Sequence, residues 1–348
     1  MRVAIVNDAP IAIEALRRVV SSHPDHTVAW TAVDGTDAIE KCERDRPDVV
    51  LMDLIMPGMN GAEATRQIMR RCPCPILVVT ATVAGNYALV CEALSHGAYD
   101  AVATPVLGGR RLEQAGAPLL AKLDRVAKIR ARLMAPCERA APEQSEPARP
   151  AAARQSPLPI VAIGASTGGP QAVQAVLSPW PREFPAAVII AQHIGADFAD
   201  PLAKWLAESC RLEVRTARDG DRPKAGTVLV AGTEDHLILQ HDGKLAYTSQ
   251  PVANPFRPSA DVLFRSLAQY GGPQNVAVLL TGIGRDGAHG MLELRRAGWH
   301  TIAQDEPTSV VYGMPQAARE LGAAAEILPV RAIADSIIRR IARPRSNT

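Results

Sequence analysis

A serine flanked by glycines ends an apolar run in Ile160-Val161-Ala162-Ile163-Gly164-Ala165-Ser166-Thr167-Gly168-Gly169-Pro170. The pattern reads as a strand that turns sharply into a helix, with the Ser166 hydroxyl set beside the first free N–H groups of that helix. Gly164 and Gly168 let the backbone bend tightly there. A serine hydroxyl is a poor nucleophile without a base, and two other apolar runs end in the groups that would activate it. Ala187–Ala191 leads into Gln192-His193, and Val276–Leu280 leads into Thr281-Gly282-Ile283-Gly284-Arg285-Asp286-Gly287. Parallel strands bring their carboxyl ends to one sheet edge, so Ser166, His193 and Asp286 can meet. His193 would take the Ser166 proton, and Asp286 would fix the imidazole tautomer and stabilise the imidazolium. Main-chain N–H groups at the Ser166 helix start and in the Thr281–Gly284 turn would receive an oxyanion.

Each residue also has a structural role open to it. Ser166 is placed to cap the helix that follows, and Asp286 to cap a helix beginning near Ala288. His193 competes with His236, His241, His289 and His300, none of which follows so clean an apolar run. The chain order Ser, His, Asp differs from the Ser, Asp, His order of α/β-hydrolases. A phosphate-binding loop is a weaker reading of Gly164–Gly169. The third glycine of G-x-G-x-x-G is misplaced, no lysine is present, and no acid ends the second strand.

A second group of residues suits phosphoryl chemistry. Asp8 follows the first apolar run, Asp53 the third and Thr80 the fourth. Two carboxylates can hold a hard cation through oxygen. The stretch Asp53-Leu54-Ile55-Met56-Pro57-Gly58-Met59-Asn60-Gly61 resembles the D-x-x-M-P-x-M-[DN]-G signature of response-regulator receiver domains. The resemblance implies that Asp53 accepts a phosphoryl group from a histidine kinase. Asp8 and Asp53 would hold Mg²⁺, and the Thr80 hydroxyl would bond a phosphoryl oxygen as the switch. Three departures stand out: Asn7 replaces one of two adjacent acids, Thr104 precedes Pro105 where lysine is usual, and Ala101 occupies the aromatic switch position. A hydroxyl cannot supply the charge-assisted contact of an ammonium.

These groups must be carried by ordered sheets, and the chain supplies two. Apolar runs at Val3–Val6, Thr27–Thr31, Val49–Asp53, Ile76–Thr80 and Ala101–Ala103 alternate with amphipathic runs such as Ile11–Val20, Gly35–Arg44, Gly61–Arg71 and Tyr87–Leu94. This predicts a flavodoxin-like (βα)5 domain over residues 1–134. Residues 135–157 are rich in Ala, Pro, Glu, Arg, Gln and Ser and read as a flexible linker. Residues 158–348 resume the alternation, with strands at Ile160–Ile163, Ala187–Ala191, Val228–Ala231, Val276–Leu280 and Thr301–Ala303. They predict a three-layer α/β domain with a doubly wound parallel sheet.

Composition narrows the function classes. Lysine plus arginine, 38, nearly balances aspartate plus glutamate, 36, so no strong field favours nucleic acid or a membrane surface. No apolar stretch reaches the roughly 18 residues of a membrane helix. Six cysteines without repeated CxxC spacing fit reduced thiols in a cytoplasmic protein and no zinc ribbon.

The stretches Gly164–Gly169, Gln192-His193 and Thr281–Met291 resemble, in order and approximate spacing, the signatures of the CheB protein-glutamate methylesterases. Pro255–Asp261, Gln304-Asp305 and Val310–Pro315 add to the likeness, which spans nearly the whole chain. The resemblance implies hydrolysis of glutamate 5-methyl esters on the cytoplasmic helices of chemoreceptors, through an acyl-serine and without a cofactor for that step. It also implies deamidation of receptor glutamines, a kinase of the CheA type as phosphodonor, and release of receiver inhibition on Asp53 phosphorylation. The receiver departures resemble the branch that serves chemosensory-like pathways controlling surface behaviour. A phosphorylation-controlled adaptor without turnover is the competing reading.

Overall fold

The computed structural model describes residues 1–81, 86–105, 112–134, 154–155, 158–252, 254–271 and 274–341. Most of the stretch read as a linker, 135–153 and 156–157, lies outside the described residues. Contacts divide the chain into two units, Met1–Leu133 and Met134–Thr348. No helix among the described residues is long and apolar enough to cross a membrane.

In the first unit the elements alternate as β1 (Arg2–Val6), α1 (Pro10–Ser21), β2 (Thr27–Ala32), α2 (Gly35–Arg44), β3 (Val49–Met52), α3 (Gly61–Arg71), β4 (Ile76–Thr80), α4 (Tyr87–Ser95), β5 (Asp100–Ala103) and α5 (Leu112–Met134). The five strands form one parallel sheet in the order β2-β1-β3-β4-β5. β3 and β4 are buried along their whole length, as continuous apolar strands covered on both faces must be. The end of the Asp53–Gly61 motif has a structural job. Asn60 caps α3 by accepting the Glu63 N–H at 2.8 Å. Gly61 then lies so close to the end of β3 that a Cβ would fall on the Asp53 carbonyl and 2.9 Å from Leu54 Cα.

The second unit runs β6 (Arg154–Gln155), β7 (Ile160–Ala165), α6 (Gly169–Leu177), β8 (Ala187–Gln192), α7 (Ala199–Ser209), β9 (Glu213–Thr216), β10 (Thr227–Val230), β11 (His236–Leu239), β12 (Leu245–Thr248), α8 (Ala260–Leu267), β13 (Tyr270–Gly271), β14 (Val276–Leu279), α9 (Ala288–Arg296), β15 (His300–Gln304), α10 (Met314–Glu320), β16 (Glu326–Leu328) and α11 (Val330–Ile341). Seven strands form a parallel sheet ordered β16-β15-β14-β7-β8-β10-β9. The edge strands β9 and β16 join the five anticipated strands, and β11–β12 form a separate antiparallel hairpin. From β7 the chain winds one way through β8, β10 and β9, and the other way through β14, β15 and β16. The β7–β14 boundary is therefore the topological switch point, where open α/β sheets form a crevice. Leu263 and Phe264 of α8, with Met291 and Leu294 of α9, belong to the core on one face of this sheet.

Gly61→Ala is expected to destabilise the first unit by about 1–3 kcal/mol, because the added methyl meets backbone and not a flexible side chain. Calorimetry of the full chain should show a lowered transition for the first unit with that of the second unmoved.

Candidate active site

β14, β7 and β8 lie side by side, so their carboxyl ends set the 281–287 turn, Ser166 and His193 along one edge. Backbone bonds lace these ends together: Ser166 N–H donates to the Thr281 carbonyl at 3.0 Å, and His193 N–H to the Ala165 carbonyl at 2.9 Å. Gly282 packs against the serine so closely that a Cβ there would stand 2.6 Å from Ser166 Cβ. Gly164 has no Cβ where one would stand 2.7 Å from the Ala260 methyl, which lets α8 approach the sheet end first.

His193 and Asp286 are joined. His193 Nε2 lies 2.8 Å from Asp286 Oδ2, with both side chains at most 3% exposed. Asp286 does not cap α9, whose N-cap is Gly287. It sits instead at the start of α8: Ala260 N–H donates to Oδ2 and the Ser259 hydroxyl to Oδ1, each at 2.6 Å. Burial alone would raise its pKa. The His193 contact and the Ser259 and Ala260 donors outweigh that, holding the carboxyl below its ordinary value. Phe256 completes the support, stacking on the His193 ring with centroids 4.7 Å apart. Ser259 and Phe256 are neighbours of the His193–Asp286 pair that strand-end reasoning missed, although both lie in the Pro255–Asp261 stretch that carried the resemblance.

Ser166 is 2% exposed, and neither Ser166 Oγ nor His193 Nδ1 has a hydrogen-bond partner. Because Asp286 engages Nε2, Nδ1 is the ring nitrogen left to act as base. The Ser166–His193 hydrogen bond is not formed in this conformation, as is common before substrate closes a site. Ser166 does not cap α6 either, since Gly168 is its N-cap at φ +76°.

The expected oxyanion donors, at the Ser166 helix start and in the Thr281–Gly284 turn, are narrowed by the backbone bonding. The N–H groups of Ser166, Gly169, Thr281 and Gly282 are all spent within the protein, on Thr281 O, Ser166 O, Gln304 Oε1 and Val311 O. Those of Thr167, Gly168, Ile283 and Gly284 have no protein acceptor among the described residues, and Thr167 and Gly168 follow the serine directly at the switch point. Other histidines serve elsewhere. His236 Nδ1 accepts the Ser259 N–H at 3.1 Å, His300 pairs with Glu326 at 3.1 Å, and His241 and His289 are exposed.

In the first unit Asp53 stands half-buried just past β3, with Asp8 exposed past β1. Asn7 Nδ2 donates to Asp53 Oδ2 at 2.9 Å while its Oδ1 accepts the Ala9 N–H, so the amide braces the pocket. Burial pushes the Asp53 pKa up; the Leu54 and Ile55 N–H groups pull it down, and the Asp8 carboxylate adds to the rise. Two carboxylates that follow neighbouring strands suit a hard divalent cation. Thr80 is buried and its Oγ1 accepts from Asn86 Nδ2 at 3.3 Å. Thr104 is half-exposed, and its N–H donates to the Thr80 carbonyl at 2.9 Å.

Known proteins match this arrangement. The CheB methylesterase family model matches residues 161–337, and the response regulator receiver domain model residues 3–115. A Burkholderia thailandensis protein-glutamate methylesterase/protein-glutamine glutaminase is 49% identical over 99% of both chains. A Pseudomonas putida protein-glutamate methylesterase/protein-glutamine glutaminase of group 3 operon is 47% identical over 96% of this chain and 97% of its own length. The crystal structure of the Thermotoga maritima CheB methylesterase catalytic domain matches with a TM-score of 0.51 and 34% identity, over 53% of this chain and 99% of that one.

Asp261, beside the Asp286 carboxylate, offers a pH test. Burial and then the Asp286 charge push its carboxyl up, against the Gly290 N–H that it accepts at 2.7 Å. A carboxyl with a raised folded pKa keeps its proton longer in the native state, so its contribution to stability falls as pH rises above the ordinary carboxylate range. Asparagine retains the acceptor without the charge. The stability gained by Asp261→Asn relative to the parent should thus grow between about pH 4 and about pH 7 and level off above that, as read from denaturant midpoints.

Proposed function

Because the chain belongs to the CheB methylesterase family and carries a receiver domain ahead of its catalytic unit, we propose that Ser166, His193 and Asp286 hydrolyse glutamate 5-methyl esters on chemoreceptors. The observation that carries the assignment is the buried His193–Asp286 pair at the strand ends bordering Ser166. Ser166 Oγ attacks the ester carbonyl while its proton passes to His193 Nδ1, and Asp286 stabilises the imidazolium that results. The oxyanion is received by the Thr167 and Gly168 N–H groups. Collapse of the tetrahedral intermediate breaks the C–O bond to the methoxy group, which leaves as methanol with the proton from His193. Water, deprotonated by His193, then releases the free glutamate carboxylate and restores Ser166. The same steps on a receptor glutamine release ammonia, in keeping with the double names of the relatives.

Control comes through Asp53, phosphorylated by a histidine kinase of the CheA type. Asp8 and Asp53 are the residues that would hold Mg²⁺, which when bound neutralises charge on the entering phosphoryl group. The Thr80 hydroxyl then bonds a phosphoryl oxygen. Substrate helices and kinase place the work of this chain in the cytoplasm.

Methanol release from methylated receptor is expected to fall about 10³-fold or more in Ser166→Ala and His193→Ala. Ser259→Ala should lose about tenfold, the cost of one hydrogen bond to a buried charge. A parent that releases no more methanol than an inert Ser166→Ala would leave only the adaptor reading, whereas full parental turnover in Ser166→Ala would end the triad assignment. In the same assay a small acyl phosphate with Mg²⁺ should stimulate the parent and leave Asp53→Asn at its basal rate; equal stimulation of both would remove Asp53 from control.

A further inference from the structure

We infer that His23, His26 and Asp124 form a binding site for a borderline divalent cation of the zinc class on the receiver unit. The connection from α1 to β2 supplies both histidines, and α5 supplies the carboxylate. The His26 side chain is 2% exposed, and neither of its ring nitrogens has a hydrogen-bond partner. A neutral imidazole carries one donor and one acceptor, and burying both unmet is costly and rare.

The atoms facing each other suggest what meets them. His26 Nε2 lies 3.7 Å and His23 Nε2 3.8 Å from the same oxygen, Asp124 Oδ1. These gaps are too long for hydrogen bonds. They are little wider than the roughly 3.3–3.5 Å edge of a tetrahedron whose bonds to nitrogen and oxygen are about 2.0–2.2 Å. One ligand atom from each of the three residues falls within 4.8 Å of the others. Two imidazoles with one carboxylate suit zinc or its neighbours, whereas magnesium and calcium prefer all-oxygen sets. Asp124 is 45% exposed, which gives the ion a way in and leaves room for water as a fourth ligand.

Ligation requires one movement. The two rings are stacked, with centroids 4.3 Å apart and planes 25° from parallel, so their in-plane lone pairs do not yet converge. His23, 28% exposed, is the ring free to turn. Turning breaks its long 3.3 Å contact from the Asp25 N–H to Nδ1 and lets Nδ1 carry the proton while Nε2 binds metal. The site precedes β2, at the sheet edge opposite to Asp8 and Asp53, so it is separate from the phosphoacceptor pocket.

Metal-free full-length protein titrated with zinc against a chromophoric chelator tests the assignment. The parent should bind zinc, and Asp124→Asn and His23→Gln should each weaken that binding about tenfold or more. Both positions are partly exposed, so the result does not depend on how His26→Gln packs. Cobalt(II) should give the visible bands of a four-coordinate site without sulfur charge-transfer absorption, and lose them in the same variants. Absence of zinc binding, binding unchanged in both variants, or sulfur bands pointing to the cysteines would overturn the site.

Discussion

The catalytic unit depends on keeping one carboxylate ionised in its interior. Asp286 is buried at the sheet edge, where an isolated charge would be too costly to keep. Its solvation by the first turn of α8, the Ser259 hydroxyl and the His193 ring replaces the water it has lost. Much local sequence follows from that requirement. Gly164 lets α8 come near enough to donate, Ser259 both caps that helix and binds the acid, and Phe256 braces the ring on its free face.

The parallel sheet then turns this fixed point into a site. β7 lies between β14 and β8, so a serine, a histidine and an aspartate far apart in sequence arrive together once the strands pair. The switch point supplies the crevice, and Gly168 in a left-handed conformation starts α6 without a side-chain cap, leaving N–H groups beside the serine.

The strands that carry the chemistry were legible because they are unbroken apolar runs. Ser166, His193, Asp8, Asp53 and Thr80 sit at or just past strand ends, and Asp286 lies in the turn that follows β14, as the pattern required. The edge strands β9 and β16 were not legible, since Glu213, Arg215 and Glu326 interrupt any apolar signal and one flank of an edge strand faces solvent. The helix served by Asp286 was also hidden. Local spacing pointed to the helix just downstream, whereas the partner starts 26 residues upstream and meets the acid only in the folded sheet. Strand pairing likewise consumes the Ser166 N–H, which no linear motif reveals. Which imidazole nitrogen faces the serine depends on ring orientation, a property of three dimensions.

Asn7 holds Asp53 through a neutral amide, and Thr104 stands where a lysine is usual. A pocket with two acids after the first strand, a phosphoacceptor and a lysine would have three negative charges and one positive. Here Asp8 and Asp53 contribute two negative charges, with neither the third acid nor the lysine. The two replacements cancel, so an incoming phosphoryl group meets the same formal charge. What differs is its distribution: the carboxylates are fewer, and charge neutralisation after transfer falls to a diffusible ion instead of a tethered ammonium. Under the proposed phosphorylation of Asp53, such a pocket would answer to the cation concentration around it as well as to the phosphodonor.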